Sequence, residues 1–271
     1  MARALILVAL LAACRSTPPP PETRPPRFAI LMPQGIEIQD DTTRIAVPRT
    51  DDVETFCWTS DGAGFYATND DALIHVSVAG KRRVLTEGWH AIRFPAVSPD
   101  GNRIAFSGRQ RTGEPWGVWV ISTRPDSRPR RTVDGYGPAW EADGTRLYFE
   151  RFRPNRGLSM VDMSNGETHP FLDDGRSAHT VTCSRSGGLI IFTRGRALTL
   201  FKRASSSVHE LTSQRAYNRF PSISPGERYI IYFRQDPTGE THPERALVIL
   251  DLETLEEQVL DVPAELAKFA P

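Results

Sequence analysis

The sequence has few of the features that mark catalysis, nucleic-acid binding or a membrane span. Its 33 Lys and Arg residues balance 33 Asp and Glu residues, so net charge gives no support for binding to nucleic acid. Neither the nucleophile elbow Gly-x-Ser-x-Gly nor the zinc motif His-Glu-x-x-His occurs. The apolar run at residues 4–13 is too short for a lasting membrane span. We therefore expect a non-catalytic body that uses no metal or other cofactor.

The first residues have the pattern of an exported bacterial lipoprotein. A short basic start and the apolar run lead into Leu11-Ala12-Ala13-Cys14, which resembles the lipobox, whose cysteine becomes diacylated. We predict a signal peptide over residues 1–13 and lipidation at Cys14. Arg15 stands where an Asp would resemble an inner-membrane retention signal, so the family pattern favours the outer membrane, with the body facing the periplasm. Residues 14–27 are rich in proline and predict an extended tether.

A repeated phrase organises the rest of the chain. Residues 95–107 read as an apolar strand, a Ser-Pro-Asp-Gly turn and a second apolar strand. The phrase returns at residues 138–149 and 221–233, and in weaker form at residues 56–66 and 181–192. If the third turn residue is taken as a marker, the markers are Asp61, Asp100, Asp143, Ser186 and Gly226, at intervals of 39, 43, 43 and 40 residues. This period, with two further strands per unit, predicts the four-stranded blades of an all-β propeller.

The number of blades depends on the ends of the chain. Five units are visible, and residues 28–52 hold strand patterns without the phrase. We expect these to form the outer part of a sixth blade whose innermost strand is residues 267–271, so that residues 28–271 close into one ring. The alternative is a five-bladed ring with an N-terminal extension.

The repeated phrase resembles the TolB-type β-propeller repeat. The match extends over roughly residues 53–262 and is strongest in the units at 95 and 138. The resemblance implies a six-bladed propeller, and TolB itself is periplasmic. The same repeat occurs in prolyl-oligopeptidase-type propellers and in oligogalacturonate lyases, so it predicts the fold better than the function.

Candidate binding residues precede each innermost strand. Seven residues before the markers stand Glu54, Arg93, Tyr136, His179 and Arg219, with Trp89 and His90 nearby. Side chains at one repeat phase converge at a mouth of the central channel. They either cap the channel or bind an anionic group, and His179 would then strengthen binding as pH falls through the histidine range. A metal site at His90 and His179 is a third alternative.

Three further residues have predicted structural roles. Trp140 lies at an otherwise apolar phase and should pack between blades. Cys57 and Cys183 fall on innermost strands of the first and fourth units, opposite each other in a six-bladed ring and too far apart for a disulfide. We expect both to be buried thiols.

These patterns favour a monomeric, lipid-anchored propeller that binds an envelope protein or a peptidoglycan-associated partner. The alternative is a polysaccharide-active or ligand-sensing enzyme that uses the channel mouth.

Overall fold

The computed structural model describes residues 24–40, 43–152, 156–172, 176–236, 245–260, 262, 264 and 266–271. The predicted signal peptide, Cys14 and most of the predicted tether lie outside this range. The described residues form six antiparallel sheets of four strands, with one short 3-10 turn at Arg203–Ser205. Within them, no helix has the length and apolar character needed to cross a membrane.

The strands follow one another in the order that the repeat predicts, and each unit supplies one blade. In chain order they are β1 (Phe28–Met32), β2 (Gly35–Gln39), β3 (Arg44–Ala46), β4 (Thr55–Trp58), β5 (Gly64–Thr68), β6 (Leu73–Ser77), β7 (Arg82–Thr86), β8 (Ala91–Val97), β9 (Arg103–Arg109), β10 (Gly117–Ser122), β11 (Arg130–Asp134), β12 (Tyr136–Trp140), β13 (Arg146–Arg151), β14 (Gly157–Asp162), β15 (Thr168–Phe171), β16 (Ala178–Cys183), β17 (Leu189–Arg194), β18 (Ala197–Lys202), β19 (Ser207–Glu210), β20 (Tyr217–Ile223), β21 (Tyr229–Gln235), β22 (Arg245–Asp251), β23 (Glu257–Leu260) and β24 (Leu266–Phe269). Blades 1 to 5 are β4–β7, β8–β11, β12–β15, β16–β19 and β20–β23. The prediction of an all-β propeller is confirmed.

The sixth blade joins the two ends of the chain. Its strand order is β24-β1-β2-β3, so the C-terminal strand is innermost and pairs antiparallel with β1, with Phe28 opposite Phe269. The innermost strands of consecutive blades lie side by side around the whole ring, and β24 contacts both β20 and β4. The structure thus confirms six blades rather than five, with the tail closing the ring.

The repeated turn owes its shape to its own side chains. The Ser98 hydroxyl donates to the Asp100 carboxylate, which also accepts the Asn102 backbone N–H at 3.1 Å. The Ser98 hydrogen bond is the main reason that the pKa of Asp100 falls to about 2. Gly101 has φ +72°, and a Cβ there would lie 2.5 Å from Ser60 Oγ of the preceding blade. The repeated aspartates therefore shape turns, as their recurrence predicted.

Apolar side chains of neighbouring blades form the core between the sheets. Trp140 is only 6% exposed and packs among residues of blades 2 and 3, which agrees with its predicted packing role. Its indole Nε1 donates to the Ala96 carbonyl of blade 2 at 3.0 Å, and Trp58 makes the corresponding bond to Lys268 across the ring closure. Cys57 and Cys183 are free thiols, as predicted.

Candidate functional site

The innermost strands of all six blades line a central channel with a cavity of about 500 Å³. At one end, which we call the turn face, lie the repeated hairpin turns, including residues 98–101 and 224–227. At the other end, which we call the loop face, the chain passes from the outermost strand of one blade into the innermost strand of the next, as at residues 87–90. The candidate residues chosen from the sequence all belong to the loop face.

A β-bulge recurs where four innermost strands leave the loop face. In β8, β12, β16 and β20 two residues stand opposite one on the neighbouring strand. The first of the two has positive φ in each case; these residues are Phe94 (51°), Gly137 (58°), Thr180 (47°) and Phe220 (55°). A bulge re-aims the side chains around it. The bulged residues themselves, which stand six residues before the markers, therefore line the channel. The predicted residues stand seven residues before the markers.

Two of the bulged residues meet across the channel. Phe94 of blade 2 and Phe220 of blade 5 stand on opposite sides of the six-bladed ring, yet their rings stack with centroids 5.3 Å apart and planes 26° apart. Tyr136 packs edge-on against Phe94 at 5.2 Å. The backbone N–H of Phe94 donates to Thr55 Oγ1 of blade 1 at 2.8 Å, which satisfies the group that the bulge removes from the ladder. The stacked rings span the channel at its loop-face end.

Of the five residues at the repeat phase predicted to converge at the channel mouth, Tyr136 alone lines the cavity. Arg93 pairs with Glu54 of blade 1 and donates to the Ile92 carbonyl. Because that pair already compensates its charge, Arg93 fits the predicted capping role better than the predicted anion-binding role. Burial raises the pKa of the Tyr136 phenol to about 12, so the ring is neutral in the physiological range.

His179 and Arg219 lie close together on the side of the mouth opposite Glu54 and Arg93. Burial, with the nearby guanidinium groups of Arg219 and Arg156, lowers the pKa of His179 to about 4. The predicted charging of His179 in the ordinary histidine range is therefore wrong. Arg219 lies over the Tyr217 ring at 5.1 Å, and its Nε is buried without a hydrogen-bond partner among the described residues.

Trp89 is buried inside blade 2, whereas His90 lies on the surface. Trp89 is 5% exposed and packs edge-on against Phe106 and Trp119 inside blade 2, so its predicted role as a ligand platform is wrong. His90 is exposed beside Thr112, with 3.5 Å between Nε2 and Oγ1. Among the described residues no group of three or more His, Cys, Asp or Glu side chains is arranged to hold a metal ion.

The loop face also carries an aromatic patch that the repeat phase does not reveal. Tyr136 packs against Trp116 at 4.8 Å and Phe152 at 6.1 Å. The Arg109 guanidinium lies 5.0 Å from the Trp116 ring, and the Arg156 guanidinium lies 5.7 Å from the Phe152 ring. Phe152 is 38% exposed. We call these five residues the aromatic–arginine patch.

Such a fold and channel define a six-bladed β-propeller with two stacked aromatic rings across the channel at the loop face. Among solved structures it is similar to a putative TolB from Agrobacterium tumefaciens, with TM-score 0.69 and 18% identity over 86% of each chain. It is also similar to TolB from Acinetobacter baumannii, with TM-score 0.74 and 17% identity over 90% of this chain and 66% of that one. A puromycin-hydrolysing peptidase from Mycobacterium tuberculosis matches with TM-score 0.63 and 13% identity over 86% of this chain and 42% of that one.

No protein-family model matches the sequence, and no curated protein matches it significantly. At these identities the structural likeness shows the fold, which is the TolB-type propeller that the repeat predicted.

Proposed function

We propose that this chain is a non-catalytic, lipid-anchored propeller at the periplasmic face of the outer membrane. In this proposal it binds an envelope protein or a peptidoglycan-associated partner through its loop face. The fold shared with TolB structures supports a protein-binding role, and the lipobox-like sequence at Cys14 supports the anchor.

The aromatic–arginine patch is the observation that carries the proposal. Tyrosine, tryptophan and arginine are the residues most enriched at the energetic centres of protein interfaces. Here they occur together beside the channel mouth. Tyr136 holds Trp116 in an edge contact and Phe152 in a tilted one, so binding would order few free side chains.

The charge arrangement around the patch favours a partner with acidic side chains. Arg156 pairs with Glu150, which is mostly buried, whereas Arg109 has no hydrogen-bond partner for its buried Nε among the described residues. Arg219 is in the same situation on the far side of the mouth. A carboxylate of the partner would compensate the positive charge of these guanidinium groups.

The test is capture of envelope proteins by the purified full chain and by the double variant Trp116→Ala, Phe152→Ala. We expect the double variant to capture at least ~30-fold less partner, because a pair of central aromatic anchors contributes ~2 kcal/mol or more. Val84→Ala is the matched control, since Val84 is a 51% exposed apolar residue on the outermost strand of blade 1. Undiminished capture by the double variant, with its circular dichroism unchanged, would contradict the loop face as the binding surface.

The anchor is tested separately. Cys14→Ser should abolish globomycin-sensitive processing and release the protein from the membrane fraction. If the Cys14→Ser protein is processed normally and stays with the membrane, Cys14 is not the anchor.

A further inference from the structure

The turn-face part of the channel holds a lysine that has no acidic partner. Lys268 lies on β24 and lines the cavity, which it shares mainly with apolar and proline side chains such as Val97, Val181 and Pro221. Its Nζ donates to the Pro221 carbonyl at 3.4 Å, which uses one of three N–H donors. No carboxylate lies within ion-pairing distance of it among the described residues. An ammonium in apolar surroundings is costly unless an anion joins it.

The strand that carries Lys268 is fixed from both sides. Trp58 of blade 1 donates to the Lys268 carbonyl at 3.0 Å, and the backbone N–H of Phe269 donates to Ser222 Oγ of blade 5 at 3.1 Å. The Lys268 backbone is therefore fixed, and the Nζ bond to the Pro221 carbonyl directs the ammonium along the cavity wall toward blade 5. Its remaining N–H donors can turn toward an anion in the cavity.

Among the described side chains on the cavity wall, Tyr136 is neutral and no other titratable group compensates this charge. Burial raises the pKa of Cys57 on β4 to about 12 and raises the pKa of Cys183 on β16 further above its ordinary value, so both thiols are neutral. Glu150 pairs with Arg156 at the loop-face end. Arg185 is exposed at the turn-face rim and adds positive charge. Burial lowers the pKa of Lys268 to about 8, so it is mostly charged at neutral pH.

We propose that this cavity binds a small apolar molecule with a single carboxylate, and that the Lys268 ammonium pairs with that carboxylate. The cavity of about 500 Å³ has room for a medium-length alkyl chain. Since the stacked rings of Phe94 and Phe220 obstruct the loop-face end, we expect the molecule to enter from the turn face. The proposed site meets the aromatic–arginine patch at Tyr136, which lines the cavity, whereas Lys268 lies away from the patch on β24.

Octanoate is a suitable probe, with 1-octanol and octylammonium as matched controls for the head group. The chain has only three lysines, Lys81, Lys202 and Lys268. Reductive methylation with labelled formaldehyde keeps their charge and gives each an NMR signal. Lys81 and Lys202 are exposed and far along the chain from β24, so they serve as internal controls.

We expect octanoate to shift the Lys268 signal alone and to raise its titration midpoint. Octanoate should bind the full chain at least ~10-fold more tightly than octanol, and octylammonium should bind most weakly. This preference should be lost in Lys268→Met, kept in Lys268→Arg, and lost in the parent as pH rises through the range in which Lys268 loses its proton.

Three results would overturn the proposal: no octanoate binding at millimolar concentration, equal affinity for octanoate and octanol in the parent, or an unchanged octanoate preference in folded Lys268→Met. If Lys268→Met does not fold, the signals of the parent decide the question, because an unmoved Lys268 signal at saturating octanoate refutes the pairing. If Lys268→Met captures the partner as well as the parent does, the loop-face proposal remains supported, whether or not octanoate binds in the cavity.

Discussion

Replacing Trp140 with alanine tests whether the ring is held together by packing between its blades. The side chain is 6% exposed among Ala105, Val118 and other apolar residues of blades 2 and 3. Truncating a large buried aromatic costs ~3–5 kcal/mol. The lost Nε1 hydrogen bond to the Ala96 carbonyl adds ~1 kcal/mol, and the Arg103 guanidinium 4.5 Å from the ring loses its stacking partner. We therefore expect a loss of ~4–6 kcal/mol, a large part of the stability of a domain.

Urea unfolding followed by far-ultraviolet circular dichroism measures this loss without relying on the other four tryptophans. Trp140→Phe keeps most of the apolar volume and removes the indole N–H, so it should cost only ~1–2 kcal/mol. A loss under ~1 kcal/mol for Trp140→Ala is the range of surface substitutions, and it would refute the reasoning.

Three other perturbations test the closure, the bulge and the channel lysine. Deleting residues 267–271 removes most of the strand that pairs with β1 and should cause aggregation or loss of cooperative unfolding; a truncated chain as stable as the parent would contradict the closure. Gly137→Ala should lower the free energy of unfolding by ~1 kcal/mol, because φ is +58° there; steric crowding is not the cause, since a Cβ would have open space. Gly157 has no positive φ, so Gly157→Ala should leave the stability unchanged in the same urea experiment. Folding lowers the Lys268 pKa, so between about pH 8 and 10.5 the unfolded chain binds a proton that the folded chain does not. The free energy of unfolding of the parent, relative to that of Lys268→Met, should therefore rise with pH over this range by at most ~3 kcal/mol. If this difference between the two proteins does not change with pH, the lowered pKa is refuted.

The fold is predictable because its determinants are local and repeated. Each Ser-Pro-Asp-Gly turn carries its own hydrogen-bonding groups, as the Ser98 hydroxyl and Asp100 carboxylate show. The apolar phase at Trp140 predicts the interface between blades. The closing strand has no turn phrase, and only the need to pair the edge of residues 28–32 indicates that residues 267–271 belong there.

The channel mouth is less predictable because one extra residue in each strand shifts the side chains that follow. Counting back from the turn assumes an unbroken alternation, and the bulges at Phe94, Gly137, Thr180 and Phe220 interrupt it. The sequence does contain a signal for these bulges. Proline follows the bulged residue in three strands, as Pro95, Pro138 and Pro221, and proline within a sheet is typical of edges and bulges. In β4 the position that corresponds to these prolines is occupied by Phe56, and the pairing of β4 with β5 has no bulge.

The contact between Phe94 and Phe220 lies between the cavity and the loop face. The two rings stack at 5.3 Å across the channel, so a ligand in the cavity and a partner on the loop face would lie on either side of them. Tyr136 of the aromatic–arginine patch lines the cavity and packs edge-on against Phe94, so Tyr136 and the stacked rings together link the two sites. If occupation of the cavity alters partner capture, the effect should pass through these rings, and Phe220→Ala should remove the coupling while leaving the Lys268 ammonium in place.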